Sequence, residues 1–178
     1  MTMKIEGLDH AAKLLAHLPN GLETALSRSL NRAMTEGRTV AIESVTDEYT
    51  IKAREVRGTF SVKRASRRHL QACLTSRGGS VPLSKYAHHP KADTTGKKRR
   101  EVKVGVRKGT LKPLAQGFIH DDFVLQREGR SSYPIRVAYG PAIPVAMANE
   151  SVSEEVLETM EASVTKRLEH ETLRLLKG

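Results

Sequence analysis

A single cysteine in 178 residues, Cys73, leaves no intrachain disulfide framework and no cysteine-rich zinc site. Tryptophan is absent and aromatic residues make up 4% of the chain, which argues against a surface that stacks several bases on aromatic rings. No apolar run approaches the roughly 18 residues that a membrane-spanning helix needs. The longest candidate, Pro141–Ala148, contains two prolines. The opening Met1–Gly7 lacks the apolar core of a signal peptide. The expectation is a soluble protein made in a reducing compartment, without a membrane partner.

Catalytic and cofactor signatures are missing as well. No Gly-x4-Gly-Lys-Ser/Thr loop is present to cradle phosphate; Gly105-Val-Arg-Lys-Gly109 has the wrong spacing and reads as a turn after a strand. His88 and His89 are adjacent, so they do not share a face as metal ligands would, and they read as loop residues. His120-Asp121-Asp122 invites an acid–base role but is more simply a turn between two strands. Ser131-Ser132 lacks the Gly-x-Ser-x-Gly elbow of a nucleophilic serine. Cys73 falls in a strand pattern and reads as a small buried hydrophobe. The reading is of a non-enzymatic chain with no cofactor and no metal.

What the chain does have is positive charge, unevenly placed. Residues 1–51 carry 5 basic and 7 acidic side chains, net −2; residues 52–112 carry 18 and 3, net +15; residues 113–178 carry 7 and 10, net −3. The middle third therefore holds the whole excess of +10. Such a segment either stands in solvent as a repulsive loop or faces a polyanion or acidic protein surface, with attraction that weakens as salt rises. The densest cluster is Lys97-Lys98-Arg99-Arg100, supported by Arg64, Arg67, Arg68, Lys103, Arg107 and Lys108. These are the candidate nucleic-acid or subunit-interface residues. Without a helix-turn-helix, zinc finger or RNP-type strand, they would contact phosphates and not read base sequence.

Apolar spacing predicts a helix over Gly7–Leu18 and a long one from about Gly21 to Thr46, roughly 40 Å in length. Small residues (Ala25, Ala33, Gly37, Ala41) recur on its apolar face, allowing close approach by a partner element, and Gly37 is a possible kink. Thr50 reads as the N-cap of a short basic helix, Ile51–Arg57. Strands are expected at Phe60–Lys63, His69–Thr75, Val102–Val106, on either side of His120–Asp122, and at Tyr133–Val137. Residues 77–100 read as an extended, flexible basic loop with a short edge strand at Val81–Leu83, and Gly140–Pro144 as a rigid connector. Ser151-Val-Ser-Glu154 matches a capping box opening a helix that runs to about Leu176. This order predicts one α+β domain: an antiparallel sheet with the long N-terminal and the C-terminal helix packed on one face.

Several pieces of this order resemble the minor tail protein Z family of long-tailed phages and prophages. They are Gly7-Leu-Asp-His-Ala-Ala12, Asn31-Arg-Ala33 on the long helix, Pro113-Leu-Ala-Gln-Gly-Phe-Ile119, Val124–Gly129, Tyr133-Pro-Ile-Arg-Val137 and Ile143-Pro-Val-Ala-Met147. The resemblance covers about residues 5–175, and the tract His88–Arg100 falls outside it. It implies a virion structural protein at the head-proximal end of the tail, assembled in the host cytoplasm, that completes the tail, joins it to the head and seats the DNA end. It further implies a self-assembling ring, most simply a hexamer, in contact with tail tube, tail terminator or head–tail connector proteins and, nonspecifically, with phage DNA. No catalytic residues are implied. The basic middle would either meet the acidic C-terminal helix (Glu154, Glu155, Glu158, Glu161) of a neighbouring subunit or line a channel for DNA. The rival readings are a free-standing nonspecific nucleic-acid-binding protein and, less well supported, a small nuclease.

Overall fold

The structure is a computed structural model that describes residues 7–91 and 101–177. Three helices open the chain: α1 (Leu8–Leu15), α2 (Gly21–Glu48) and α3 (Ala53–Gly58). Strands β1 (Phe60–Lys63), β2 (Cys73–Ser76) and β3 (Ser80–Pro82) follow, then a 3-10 turn (Leu83–Lys85) and β4 (Ala87–His89). Beyond come β5 (Lys103–Gly105), β6 (Lys112–Pro113), β7 (Gly117–His120), β8 (Phe123–Arg127), β9 (Ile135–Val137) and β10 (Tyr139–Ala142). Helices α4 (Ile143–Met147) and α5 (Glu150–Leu176) close it.

The α+β class is as expected, but the single sheet is divided. Among the described residues the strands form four small antiparallel sheets: β1–β2, β3–β10, β4–β5–β6 and β7–β8–β9. Prolines account for part of this. Pro82, Pro113 and Pro141 each lie in a strand and cannot donate to a ladder, so those strands stay short and at edges.

The chain divides into two compact units. The first comprises the described residues up to Ala41, Phe60–Ser76, and those from Ala148 onward. Here α2 and α5 bury their apolar stripes against each other in antiparallel sense. Leu168 packs with Ala11, Leu15, Ala25 and Leu26, while Val164 packs with Leu30, Ala33 and Ala65. The small residues on α2 set the approach distance. α2 runs unbroken through Gly37. A Cβ built there would lie 2.5 Å from Met160 Cγ and 2.6 Å from its Sδ, so glycine is what lets α5 in. Arg28 on α2 reaches the buried Glu171 on α5 at 3.0 Å.

Two expectations in this unit are corrected. Ser151 is not an N-cap: α5 starts at Glu150 after Asn149, without a side-chain capping bond, and the Ser153 hydroxyl donates to the Glu150 carbonyl at 3.0 Å. The capping pattern fails because Ser151 already lies inside the first turn. Cys73 is exposed, not buried; it begins β2 with its Sγ 3.5 Å from Thr75 Oγ1.

The second unit comprises Ile42–Thr59 and Arg77–Met147. Its β7–β8 hairpin turns on Asp121 and Asp122, both at positive φ (47° and 62°), the left-handed pair that a two-residue hairpin needs. That turn was legible in the sequence. Within the expected 77–100 loop, the edge strand expected at Val81–Leu83 is present as β3, one residue earlier, whereas the 3-10 turn and β4 that follow it were not expected; Val81, Leu83 and Tyr86 are buried. The expected connector Gly140–Pro144 is instead the end of β10 and the start of α4.

Thr50 is not the cap of α3, which begins at Ala53. Its hydroxyl accepts the Ala87 amide at 2.9 Å and donates to the Gly105 carbonyl, joining the end of α2 to β4 and β5. Its own amide donates to the Val106 carbonyl at 3.0 Å. Thr50→Val keeps the shape and strands both partners, so a loss of about 1–3 kcal/mol is expected by urea titration. Thr50→Ser should retain most of the stability.

Candidate nucleic-acid or subunit interface

In the first unit the site is built on a loop between two paired strands. β1 and β2 run antiparallel with Lys63 opposite Cys73, which leaves residues 64–72 to close the hairpin. Asn31 on α2 pins this loop. Its amide donates to the Ala65 carbonyl at 2.9 Å, and its side-chain oxygen accepts the Ala65 amide at 2.9 Å. Ala65 is thereby held in the core, 7% exposed, beside Leu30, Ala33 and Val164. Just beyond it the chain reverses. The Ser66 amide donates to the His69 carbonyl at 2.9 Å and the His69 amide donates back to Ser66 at 3.1 Å.

That turn carries Arg67 and Arg68 at its tip, with Arg64 on the other side of the buried alanine. All three are exposed. Among the described residues, none of the three forms an ion pair. Lys63, also exposed, enlarges the same cationic projection, and the exposed His69 lies at the end of the turn; both were missed by sequence reasoning. Asn31 was missed too. Its signal was present: asparagine is a poor residue for a helix interior, and one beside a buried stripe suggests a side-chain bond to backbone.

Lys103, Arg107 and Lys108 lie in the second unit and are differently placed. The Lys108 amide donates to the Glu48 carbonyl at 2.9 Å, capping the C-terminal end of α2. Arg107 lies 3.2 Å from Glu48 and has its guanidinium 5.8 Å from the Tyr49 ring centroid. Tyr49 and Glu48 push its already high pKa further up. Lys108 lies 3.5 Å from Asp47, and Lys103 3.9 Å from Glu101. Cations at the negative end of a helix dipole are favourable in themselves, so Arg107 and Lys108 have a structural use. The strongest cluster in the sequence, Lys97, Lys98, Arg99 and Arg100, lies outside the described residues.

The second unit has open grooves of about 490 Å³, beside Val102 and Leu114, and about 420 Å³, beside Val104 and Pro113. Among the described residues no three His, Cys, Asp or Glu side chains converge to hold a metal. No helix among them is long and apolar enough to cross a membrane.

The sequence model of one family, prophage minor tail protein Z (GPZ), matches residues 5–177. The chain belongs to that family. Membership gives this minor tail protein a structural role in a phage tail, a place in the virion, and other tail components as partners. A search of curated proteins found no match, and neither did a search of solved structures. Residues of three segments that resemble the Z family have defined places in the fold. Asn31 pins the arginine loop, Phe118 and Ile119 are buried in β7, and Ile135 and Val137 bound β9.

Proposed function

We propose that this minor tail protein completes the head-proximal end of a long phage tail, where it helps join tail to head and seat the DNA end. Membership of the family across residues 5–177 carries the reading. In this role the chain is a non-enzymatic ring subunit, a hexamer if it follows a sixfold tail, assembled in the host cytoplasm. It contacts tail tube, terminator or connector proteins and holds DNA through phosphates. The charge distribution supports the last point: residues 52–112 carry net +15 from 18 basic and 3 acidic side chains, with no motif that reads bases. Lys97–Arg100, Lys103 and the surrounding basic residues are the candidate phosphate contacts.

Gold-labelled antibody microscopy on particles from an induced lysogen tests the position. Label confined to the head–tail junction is the expected result. Label along the shaft or at the distal tip would overturn the head-proximal assignment. Absence of the protein from intact and opened particles would point instead to a free-standing nucleic-acid-binding protein.

A further inference from the structure

The first unit presents two charged surfaces of opposite sign, neither of them ion-paired among the described residues. One is the pinned turn with Arg64, Arg67 and Arg68. The other is a stripe on α5. Glu150, Glu154 and Glu158 follow one another at four-residue steps, about 6 Å apart along the axis, and all three are exposed. Among the described residues, none of the three glutamates forms an ion pair. Glu150 lies in the first turn, where the helix dipole favours it; Glu154 and Glu158 lie past that turn and gain little. Like charges at i,i+4 destabilise a helix by about 0.2–0.5 kcal/mol per pair, so this stripe is unfavourable in an isolated chain.

From this pairing we propose that the Arg64–Arg67–Arg68 turn of one copy docks on the Glu150–Glu154–Glu158 face of α5 in the next copy. The proposal rests on the self-assembly part of the functional reading above and assigns its contact. Three features favour a second copy as the occupant. The two surfaces are opposite in sign and equal in number of charges, three against three. They are different patches on one chain, which is what a heterologous, ring-closing contact requires. The turn is flanked by Val62 and Leu70, 36% and 41% exposed, which supply apolar area beside arginines, the residue mix of an interface core. Asn31 adds pre-organisation, since Ala65 is fixed before any partner arrives. This division leaves the phosphate contacts to the remaining basic residues of the middle segment.

Sedimentation velocity on the full chain at low and high salt tests the contact through three variants. Reversing the turn (Arg64→Glu, Arg67→Glu, Arg68→Glu) should weaken self-association about tenfold or more. Reversing the stripe (Glu150→Lys, Glu154→Lys, Glu158→Lys) should do the same, and circular dichroism on both variants checks that they fold. Both reversals in one chain should restore association, because the swapped charges attract again. Wild-type assembly that neither reversal changes would overturn the contact and leave self-assembly standing. A wild-type chain that stays monomeric at high concentration would overturn self-assembly itself, and the contact with it. If only the turn reversal acts, with loss of salt-sensitive retention of a DNA duplex and no rescue by the stripe reversal, the turn faces nucleic acid and the proposal fails.

Discussion

Leu168→Ala is expected to lower stability by about 3 kcal/mol or more, a large share of the roughly 5–15 kcal/mol that holds a typical domain together. Leu168 is 2% exposed and sits where α5 meets α1 and α2, against Ala11, Leu15, Ala25 and Leu26. Removing its side chain forfeits the transfer energy of the lost methyl and methylene groups and leaves a cavity. Two of the facing residues are alanines, already close-packed, so they have no side chain to swing into the space. The surroundings are therefore poorly able to collapse, which places the loss toward the upper part of the usual range. A control on the same helix isolates the effect: Leu173 is 55% exposed, and Leu173→Ala should change stability by less than about 0.5 kcal/mol. Urea titration followed by far-ultraviolet circular dichroism gives both values. Similar midpoints for the two variants would mean that the α1–α2–α5 packing is not the core described.

Asn31→Ala is expected to cost about 2–3 kcal/mol and to free the arginine turn. The substitution removes both hydrogen bonds to Ala65 at once, leaving a buried amide and a buried carbonyl without their partner. The helix itself gains slightly, because alanine is the better helix former, so the loss is a tertiary one. Two readouts separate these contributions. Helical content at low denaturant should be unchanged, while amide hydrogen exchange across residues 64–69 should accelerate as the pin is lost. Asn31→Asp sharpens the test. A carboxylate still accepts the Ala65 amide but cannot donate to the Ala65 carbonyl, so it should restore only part of the stability. Full stability in Asn31→Asp would show that the amide-to-carbonyl bond contributes nothing. Under the docking proposal Asn31→Ala should also weaken self-association, though less than charge reversal does, because the arginines remain while their pre-organisation is gone.

The helices were the most legible part of the fold. The spacing from Leu22 to Val45 predicted α2 to within two residues at its end, and α5 began one residue before the expected Ser151. Such a pattern repeats every turn, so its signal accumulates along a long helix. Asp121-Asp122 was legible for a different reason: few residue types tolerate the left-handed conformation of a hairpin turn, and aspartate is one of them. Short segments were read less well. In residues 80–89, rich in polar and turn-forming residues, the edge strand at Val81–Leu83 was expected but β4 and the burial of Val81, Leu83 and Tyr86 were not. Their pairings, to Tyr139–Ala142 and to Lys103–Gly105, lie far along the chain. No window that contains only one partner carries that information.

The same distinction runs through the candidate site. The sequence by itself determined the α+β composition, the concentration of positive charge in the middle third, and the absence of recognised catalytic motifs. It did not distinguish among the cations. Lys108 meets Asp47 across 61 positions of chain and, with Arg107, closes the end of α2, whereas Arg64, Arg67 and Arg68 are held outward by Asn31, 34 positions before Ala65. Only the tertiary structure decided which positive charges are balanced internally and which remain available to a partner. Local periodicity forms within a few residues, but the pairing of distant charges depends on where the chain returns, and that is set by the packing of the whole unit.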